Sequence, residues 1–442
     1  MWLFSSSSSK VRAFSVILVM AAVICPAGGL QAESEVYINI LKTPGQKLTA
    51  ALPPFFTKEI SPKESDDLLA VLENDLRLSG FFQVTTEFLP GENLNGLEGI
   101  GKTEIFDNIL SQGFQLLINV HLREEKGKLV MEGLVFDPAS QRQIFGKRYR
   151  GSKQGGLKMV HLLAGDIIQE LTGVKPMTSS RLAFLWNISG IKRVYVSDYD
   201  GRNMEPVSPE GELSLFPEWS PDNGLVYTSF ESSMPQLIYH SPDTGFRKVL
   251  ASYPGMNANS AYSPDGRHVL VTLSQPGNPE IFKLDSKGRI VKRMTFDRAV
   301  DTSPVYSPDG RRFAFVSDRG GGPQIYTMDE DGGKPVRVTF KGHYNVSPSW
   351  SPDGKYLAYS SIVGGRFQIM LLNMQDGEVV QLTDGSGSKE DPSWGPDGRH
   401  IVFTLTKGYK SDLYMLDIFS KELNRITKGR GSFTSTSWSG GN

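Results

Sequence analysis

Cysteine is nearly absent from this sequence: among 442 residues there is one, Cys25. No disulfide framework and no thiolate metal cluster can be built within the chain. Histidine is scarce as well. The six present, His121, His161, His240, His268, His343 and His400, show neither the His-x-x-x-His nor the Glu-x-x-His spacing of a helical metal site. No Gly-x-Ser-x-Gly phrase marks a hydrolase nucleophile elbow. Neither charge is in excess, because 47 Lys and Arg stand against 48 Asp and Glu for a formal net charge of -1. That balance excludes a surface basic enough to hold nucleic acid over its whole extent. Beyond residue 32 no apolar run is long enough to cross a bilayer as a helix.

The first residues do carry an apolar run, from Ala13 to Cys25, preceded by Lys10 and Arg12 and followed by small residues at Ala27, Gly28, Gly29 and Ala32. This is the pattern of a secretory signal peptide, with cleavage expected after Ala32. A lipoprotein signal would use Cys25, but Ile24 fills the place where a small residue belongs. Export would remove the only cysteine, leaving a chain held together by core burial alone.

Glycine (46) and proline (26) are plentiful, and in the second half they recur in register. Trp219-Ser-Pro-Asp222, Tyr262-Ser-Pro-Asp-Gly266, Tyr306-Ser-Pro-Asp-Gly310, Trp350-Ser-Pro-Asp-Gly354 and Trp394-Gly-Pro-Asp-Gly398 repeat one phrase, and a worn copy ends at Trp438-Ser439-Gly440. The aromatic positions are 43 and then four times 44 residues apart, a propeller-blade period. Within a unit, Ser bonds the backbone, Pro fixes φ and Gly accepts positive φ, so the phrase is a hairpin turn between strands. An apolar second strand and a third strand follow in each full unit, and in four of them a fourth strand ends in Thr (Thr295, Thr339, Thr383, Thr427). Arg181 to Leu185 and Arg193 to Val196 match second and third strands without a first strand before them, while Phe433 to Trp438 is a first strand with nothing after it. The ring is therefore expected to close by pairing the two, giving six blades without an open edge.

Residues 33–174 lack the repeat. Glu35 to Ile40 alternates like a strand. Leu68, Leu69, Leu72 and Leu76 recur at helical spacing, with Ser65 as the expected cap. Strands are expected at 81–84, 116–122, 129–136 and 143–149, and helices around Ile105 to Leu110 and Val160 to Leu171, which makes a small α/β unit with a mixed sheet. The chain is thus expected to divide into a signal peptide over 1–32, an α/β domain over 33–174, a linker over 175–180 and an all-β six-bladed propeller over 181–442.

The repeated aspartates invite an acid–base or metal reading, but recurrence in every blade marks them as turn residues. What varies is more informative. The loops before each first strand differ, comprising residues 215–217, 256–259, 300–302, 344–346, 390–391 and 433–434, and all six are expected around one mouth of the channel. Loops on a rigid ring are where recognition residues concentrate.

An export signal, a strand-led α/β domain and six Trp-Ser-Pro-Asp-Gly-type repeats closed by a final Trp-Ser together resemble the TolB family, periplasmic components of the Tol-Pal system of Gram-negative bacteria. The resemblance covers essentially the whole chain after residue 32. It implies a non-enzymatic periplasmic scaffold without cofactor or metal, monomeric alone and tied to membranes only through partners. Family members bind the peptidoglycan-associated lipoprotein Pal at the propeller mouth and the inner-membrane protein TolA through the N-terminal segment, supporting outer-membrane integrity and constriction at cell division. Carried onto this sequence, Met256, Asn257, Asn259 and Thr302 face Pal, Met256 standing where the family often has histidine. Phe216, Asp301, Asn345 and Asp391 complete the mouth set. The TolA segment comprises Glu33, Glu35, Val36, Tyr37, Ile38, Asn39 and Ile40, an extended stretch able to add to a partner's sheet edge. Two other readings stand beside this one: a periplasmic hydrolase or lyase acting in the channel through Asp301 or Asp391, and a receptor for a small ligand or sugar.

Overall fold

The computed structural model describes residues 47–87, 102–188, 190–232 and 234–440. The expected signal peptide and the segment Glu33 to Ile40 lie outside the described residues. The α/β region comprises β1 (Leu48–Ala51), β2 (Phe56–Lys58), α1 (Pro62–Leu78), β3 (Phe82–Thr85), α2 (Lys102–Ser111), β4 (Leu116–Glu125), β5 (Lys128–Asp137), β6 (Arg142–Gly151) and α3 (Gly156–Thr172). Its sheet runs β3-β1-β4-β5-β6, with β2 pairing β4 beyond the end of β1. β1 is parallel to β3 and β4, whereas β4, β5 and β6 form an antiparallel meander, so the sheet is mixed.

Two local details depart from the sequence reading. Ser61 caps α1, its Oγ accepting from the Glu64 N–H at 3.2 Å, while Ser65 is buried inside the helix. Pro62 explains the earlier start, since its fixed φ suits the first helical position and its missing N–H has no bond to lose there. The strands β1 and β2 are too short, and too interrupted by Pro53 and Pro54, to show an alternating pattern. Leu68, Val71, Leu72 and Leu76 of α1 meet Val160, Leu163, Ile167 and Ile168 of α3 in one core with the sheet.

The propeller consists of six four-stranded sheets, each antiparallel throughout. Blade 1 is the composite one: Ser432–Trp438 pairs with Arg181–Ile188, in register Phe433↔Trp186 and Trp438↔Leu182, followed by Ile191–Asp198 and Glu205–Pro206. The expected closure is therefore present. Ser439 N donates to Arg181 O at 2.9 Å, Arg181 N returns a bond to Ser439 Oγ at 2.8 Å, and Trp438 Nε1 donates to Ser180 Oγ at 2.7 Å. Phe433 is fully buried against Phe184 and Trp186.

The repeated turns work as their chemistry requires. Ser263, Ser307 and Ser351 donate Oγ–H to the aspartates two residues on at 2.6 to 2.7 Å, and each of those carboxylates accepts the N–H two residues further at 3.1 Å. These bonds hold Asp265 and Asp309 below the usual carboxylate pKa, the serine hydroxyl contributing most. Blade 6 has Gly395 in place of serine, and Asp397 is satisfied instead by His400 Nδ1 at 2.5 Å. The terminal threonines are buried bridges: Thr295, Thr339, Thr383 and Thr427 each accept from a third-strand N–H at 2.9 Å.

Replacing Phe433 with alanine removes a filled core position at the closure and is expected to lower stability by about 3–5 kcal/mol in urea unfolding. A Phe433→Ala midpoint equal to that of the parent protein would show that the ring does not depend on this strand.

Candidate functional site: the propeller mouth

Each first strand runs toward its Ser-Pro-Asp turn, so the loops joining blades and the hairpins between second and third strands gather at the opposite end, the mouth. Every first strand is bulged just inside it. Phe216, Asn259, Ser303, Ser347, Asp391 and Ser435 all have φ between 46° and 55°, in the left-handed region, and the ladder register shifts at each of them. A bulge adds one unpaired residue and turns the chain. Repeated six times, it faces two or three successive residues of each blade into a central cavity of about 250 Å³. The lining is prolines (Pro217, Pro304, Pro348, Pro392), hydroxyls and two carboxyl groups, Glu218 and Asp391.

Asp391 accepts from Ser347 Oγ at 2.8 Å, its backbone N–H donates to Ser360 Oγ at 3.2 Å, and burial pushes its pKa up. Glu218 was not singled out from sequence. It keeps partial contact with the channel interior but is walled by protein, and this desolvation pushes its carboxyl up to about 7, opposed by a bond with Ser437. The cavity thus holds a group able to exchange a proton near neutral pH. The only sequence signal was a lone acid two residues after the bulge, where the other blades carry Ala261, Val305, Ser349, Ser393 and Ser437.

The expected mouth residues separate into two groups. Phe216, Asn259 and Asp391 line the cavity. Met256 and Thr302 are partly exposed beside it, Met256 N donating to Ser274 Oγ at 2.8 Å and Thr302 Oγ1 lying 3.4 Å from Thr272 Oγ1. Asn257, Asp301 and Asn345 are wholly buried. Their side chains do not reach the mouth surface, because the two asparagines are spent on their own loops and Asp301 on Arg319 of the neighbouring hairpin. Asn257 Nδ2 donates to Tyr253 O at 2.6 Å, Asn345 Nδ2 to Lys341 O at 2.9 Å, and Asp301 accepts both contacts of Arg319 Nη2 at 2.8 and 2.7 Å. In blade 6 the equivalent Lys389 also donates to its loop, its Nζ meeting the carbonyls of Asp384, Gly385, Ser386 and Gly387 at 2.6 to 3.1 Å. A buried loop must find internal partners for its polar groups, and this position supplies them.

Several large apolar side chains are exposed at this end. Phe296 and Phe340 are each 73% exposed, and Phe216, Phe230, Tyr344, Ile362 and Tyr409 are exposed at the same end. Arg293 and Arg337 stack on Phe296 and Phe340 at 4.7 and 5.3 Å, giving each exposed ring a cationic neighbour.

The family model of the TolB β-propeller domain matches residues 168–441, more than half of the chain. The chain belongs to the TolB family. Among its relatives, the Protein TolB homolog of Chlorobium chlorochromatii is 33% identical over 293 residues, 66% of this chain, and the Tol-Pal system protein TolB of Desulfosudis oleivorans is 32% identical over 285 residues, 63% of this chain. These matches span 65% and 64% of the lengths of the two relatives. The crystal structure of TolB from Acinetobacter baumannii superposes with a TM-score of 0.79 at 28% identity, covering 89% of this chain and 97% of that one. The TolB architecture therefore extends through the α/β region as well as the propeller.

Two predictions follow from the mouth of this TolB-family propeller. Glu218 has its pKa raised from an ordinary 4.5 to about 7. The unfolded chain then ionises before the folded one, and stability is lost as pH rises from about 4.5 to about 7. Glu218→Gln is expected to match the parent melting temperature at pH 4 and to exceed it above pH 7; parallel melting curves across that range would refute the shift. Asp301→Ala strands the Arg319 guanidinium without its buried partner and is expected to cost about 3–5 kcal/mol in chemical denaturation.

Proposed function

We propose that the protein is a non-enzymatic periplasmic scaffold of the Tol-Pal system, binding the lipoprotein Pal at the propeller mouth and a TolA-like inner-membrane protein through Glu33 to Ile40. In this role it supports outer-membrane integrity and constriction at division. The observation that carries the reading is the mouth: exposed aromatics at the same end as a channel whose lining includes prolines, hydroxyls and two carboxyl groups. Exposed apolar surface of this kind, rimmed by polar groups, marks a protein-binding face, and aromatic anchors carry most of the energy in such contacts. The rigid ring keeps the loops in place before the partner arrives, so little conformational entropy is lost on binding. Membership of the TolB family and likeness to a relative named as a Tol-Pal system protein support the choice of partner. Among the described residues no helix is long and apolar enough to cross a membrane.

Phe216, Asn259 and Asp391 would contact the lipoprotein from the channel, with Met256 and Thr302 at its edge. Asn257, Asp301 and Asn345 would act indirectly, by fixing the loops that carry those contacts. The test is affinity for purified Pal. Phe296→Asp with Phe340→Asp, both at exposed positions, is expected to weaken binding by about tenfold or more while leaving the melting curve unchanged. Deleting residues 33–40 is expected to abolish capture of the TolA-like protein and spare Pal binding. Unaltered Pal affinity in the double variant would overturn the mouth as the binding face.

A further inference from the structure

Away from the mouth, at the Ser-Pro-Asp end, the α/β region packs on blades 1 and 6. Arg399 makes part of this joint, bonding Asp417 Oδ2 at 2.6 Å and Gly80 O at 3.3 Å while its guanidinium stacks over Phe81 at 4.7 Å. Beside it lies a second cluster that neither the scaffold function nor the mouth uses. His161 on α3 is 5% exposed. Its Nδ1 lies 2.7 Å from Asp75 Oδ2 on α1, and Asp75 Oδ1 accepts the Tyr199 hydroxyl at 2.6 Å. A carboxylate only accepts, so Nδ1 carries a proton, and Nε2 is the nitrogen left to meet a further cation, a second proton or a metal ion.

That nitrogen is buried and has no hydrogen-bond partner. It points at acceptors: Asp198 Oδ2 is 3.9 Å away, and ligand atoms of His161, Asp198 and Asp200 all lie within 4.8 Å of one another. Two carboxylates facing a buried imidazole nitrogen favour a cation between them, and a metal ion competes with the proton for that place. The carboxylates have partners on their own turn, Asn203 Nδ2 bonding Asp198 Oδ2 at 2.7 Å and Arg202 Nε bonding Asp200 Oδ2 at 2.9 Å, and neither bond reaches His161 Nε2.

We propose that His161 Nε2, Asp198 and Asp200 form a site for a divalent transition-metal cation of the zinc class, a staple between α3 and blade 1. One imidazole nitrogen and two carboxylates make a donor set for a divalent ion, and nitrogen donation favours zinc over calcium or magnesium. With metal–ligand distances of about 2.0–2.1 Å, tetrahedral ligands stand roughly 3.3 Å apart, so the 3.9 Å separation of Nε2 and Asp198 Oδ2 closes by a small side-chain rotation. Asp75 on Nδ1 completes the carboxylate–histidine pairing that orients an imidazole toward a metal and raises its basicity. The fourth coordination position faces a cavity of about 450 Å³ that His161, Asp198 and Asn203 help to line. The turn carrying the aspartates is fixed by Gly201, at φ +82°, where a Cβ would meet Ile426 O at 2.5 Å.

The test uses the purified chain without a histidine tag, stripped with chelator and titrated with zinc by calorimetry and with cobalt by visible absorption. One equivalent is expected to bind, with a melting-temperature rise of roughly a few degrees at saturating zinc and no competition by calcium. His161→Gln and Asp198→Asn are each expected to lower zinc affinity by at least about tenfold, and Asp75→Asn, a positioning change, by about 10–100-fold. Should His161→Gln fail to fold, Asp198→Asn and Asp200→Asn at the partly exposed turn carry the same comparison. Absence of stoichiometric zinc binding, binding that survives all four substitutions, or equal competition by calcium would each overturn the proposal.

Discussion

Every feature of the mouth depends on the pairing of Ser432–Trp438 with Arg181–Ile188. A sheet edge left open at blade 1 would expose unpaired N–H and C=O groups and free the ring to splay. With the strand in place, the six first strands surround one axis, and adjacent ones are stitched by serine hydroxyls: Trp219 N donates to Ser437 Oγ, Trp394 N to Ser349 Oγ and Trp438 N to Ser393 Oγ, at 3.3, 3.4 and 2.9 Å. The C-terminal residues are thus a structural element of the first blade, and the cavity they help to wall exists only in the closed ring.

The six bulges show how a repeat can carry a binding surface without repeating its chemistry. The backbone conformation is the same in all blades, while the residue that adopts it changes from Phe216 to Asn259, Ser303, Ser347, Asp391 and Ser435. Positive φ is costly for a residue with a Cβ, more so for an aromatic such as Phe216 than for Asn or Asp. Such strain persists only where the surrounding structure holds it and is concentrated at functional sites. Two residues earlier in four of the blades, the buried clamps Asn257, Asp301, Asn345 and Lys389 satisfy the loops behind the rim. Rigidity and variability are therefore assigned to neighbouring positions in the same strand.

The joint with the α/β region is different in kind. It joins α1, α3 and the turn after the third strand of blade 1 through Asp75, His161, Tyr199 and Asp198, with Arg399 and Glu422 of blade 6 alongside; Glu422 bonds Lys47 Nζ at 3.4 Å and Arg77 Nη1 at 3.2 Å. Polar groups at such a joint are retained where they serve orientation or a ligand, because well-packed apolar residues would stabilise the contact at least as well. The position of Asp75 in the apolar stripe of α1, between Leu72 and Leu76, was the visible trace of this role.

What the sequence determined by itself is what short-range chemistry controls. The period of 43 and 44 residues, the Ser-Pro-Asp-Gly turns, the closing strand and the helices of the α/β region could all be read, because each rests on bonds within a few residues or on a repeating pattern. The ring of mouth loops was legible too, but which side chains face out was not: Asn257, Asp301 and Asn345 looked like recognition residues and are buried clamps, while Glu218 passed unnoticed. A one-residue bulge reverses the alternation of a strand, and burial then decides whether a polar side chain meets a partner or its own loop. The cluster of Asp75, His161 and Asp198 was invisible for a further reason. Its members are 86 and 37 residues apart in the chain, and only the packing of two helices on a closed propeller brings them together.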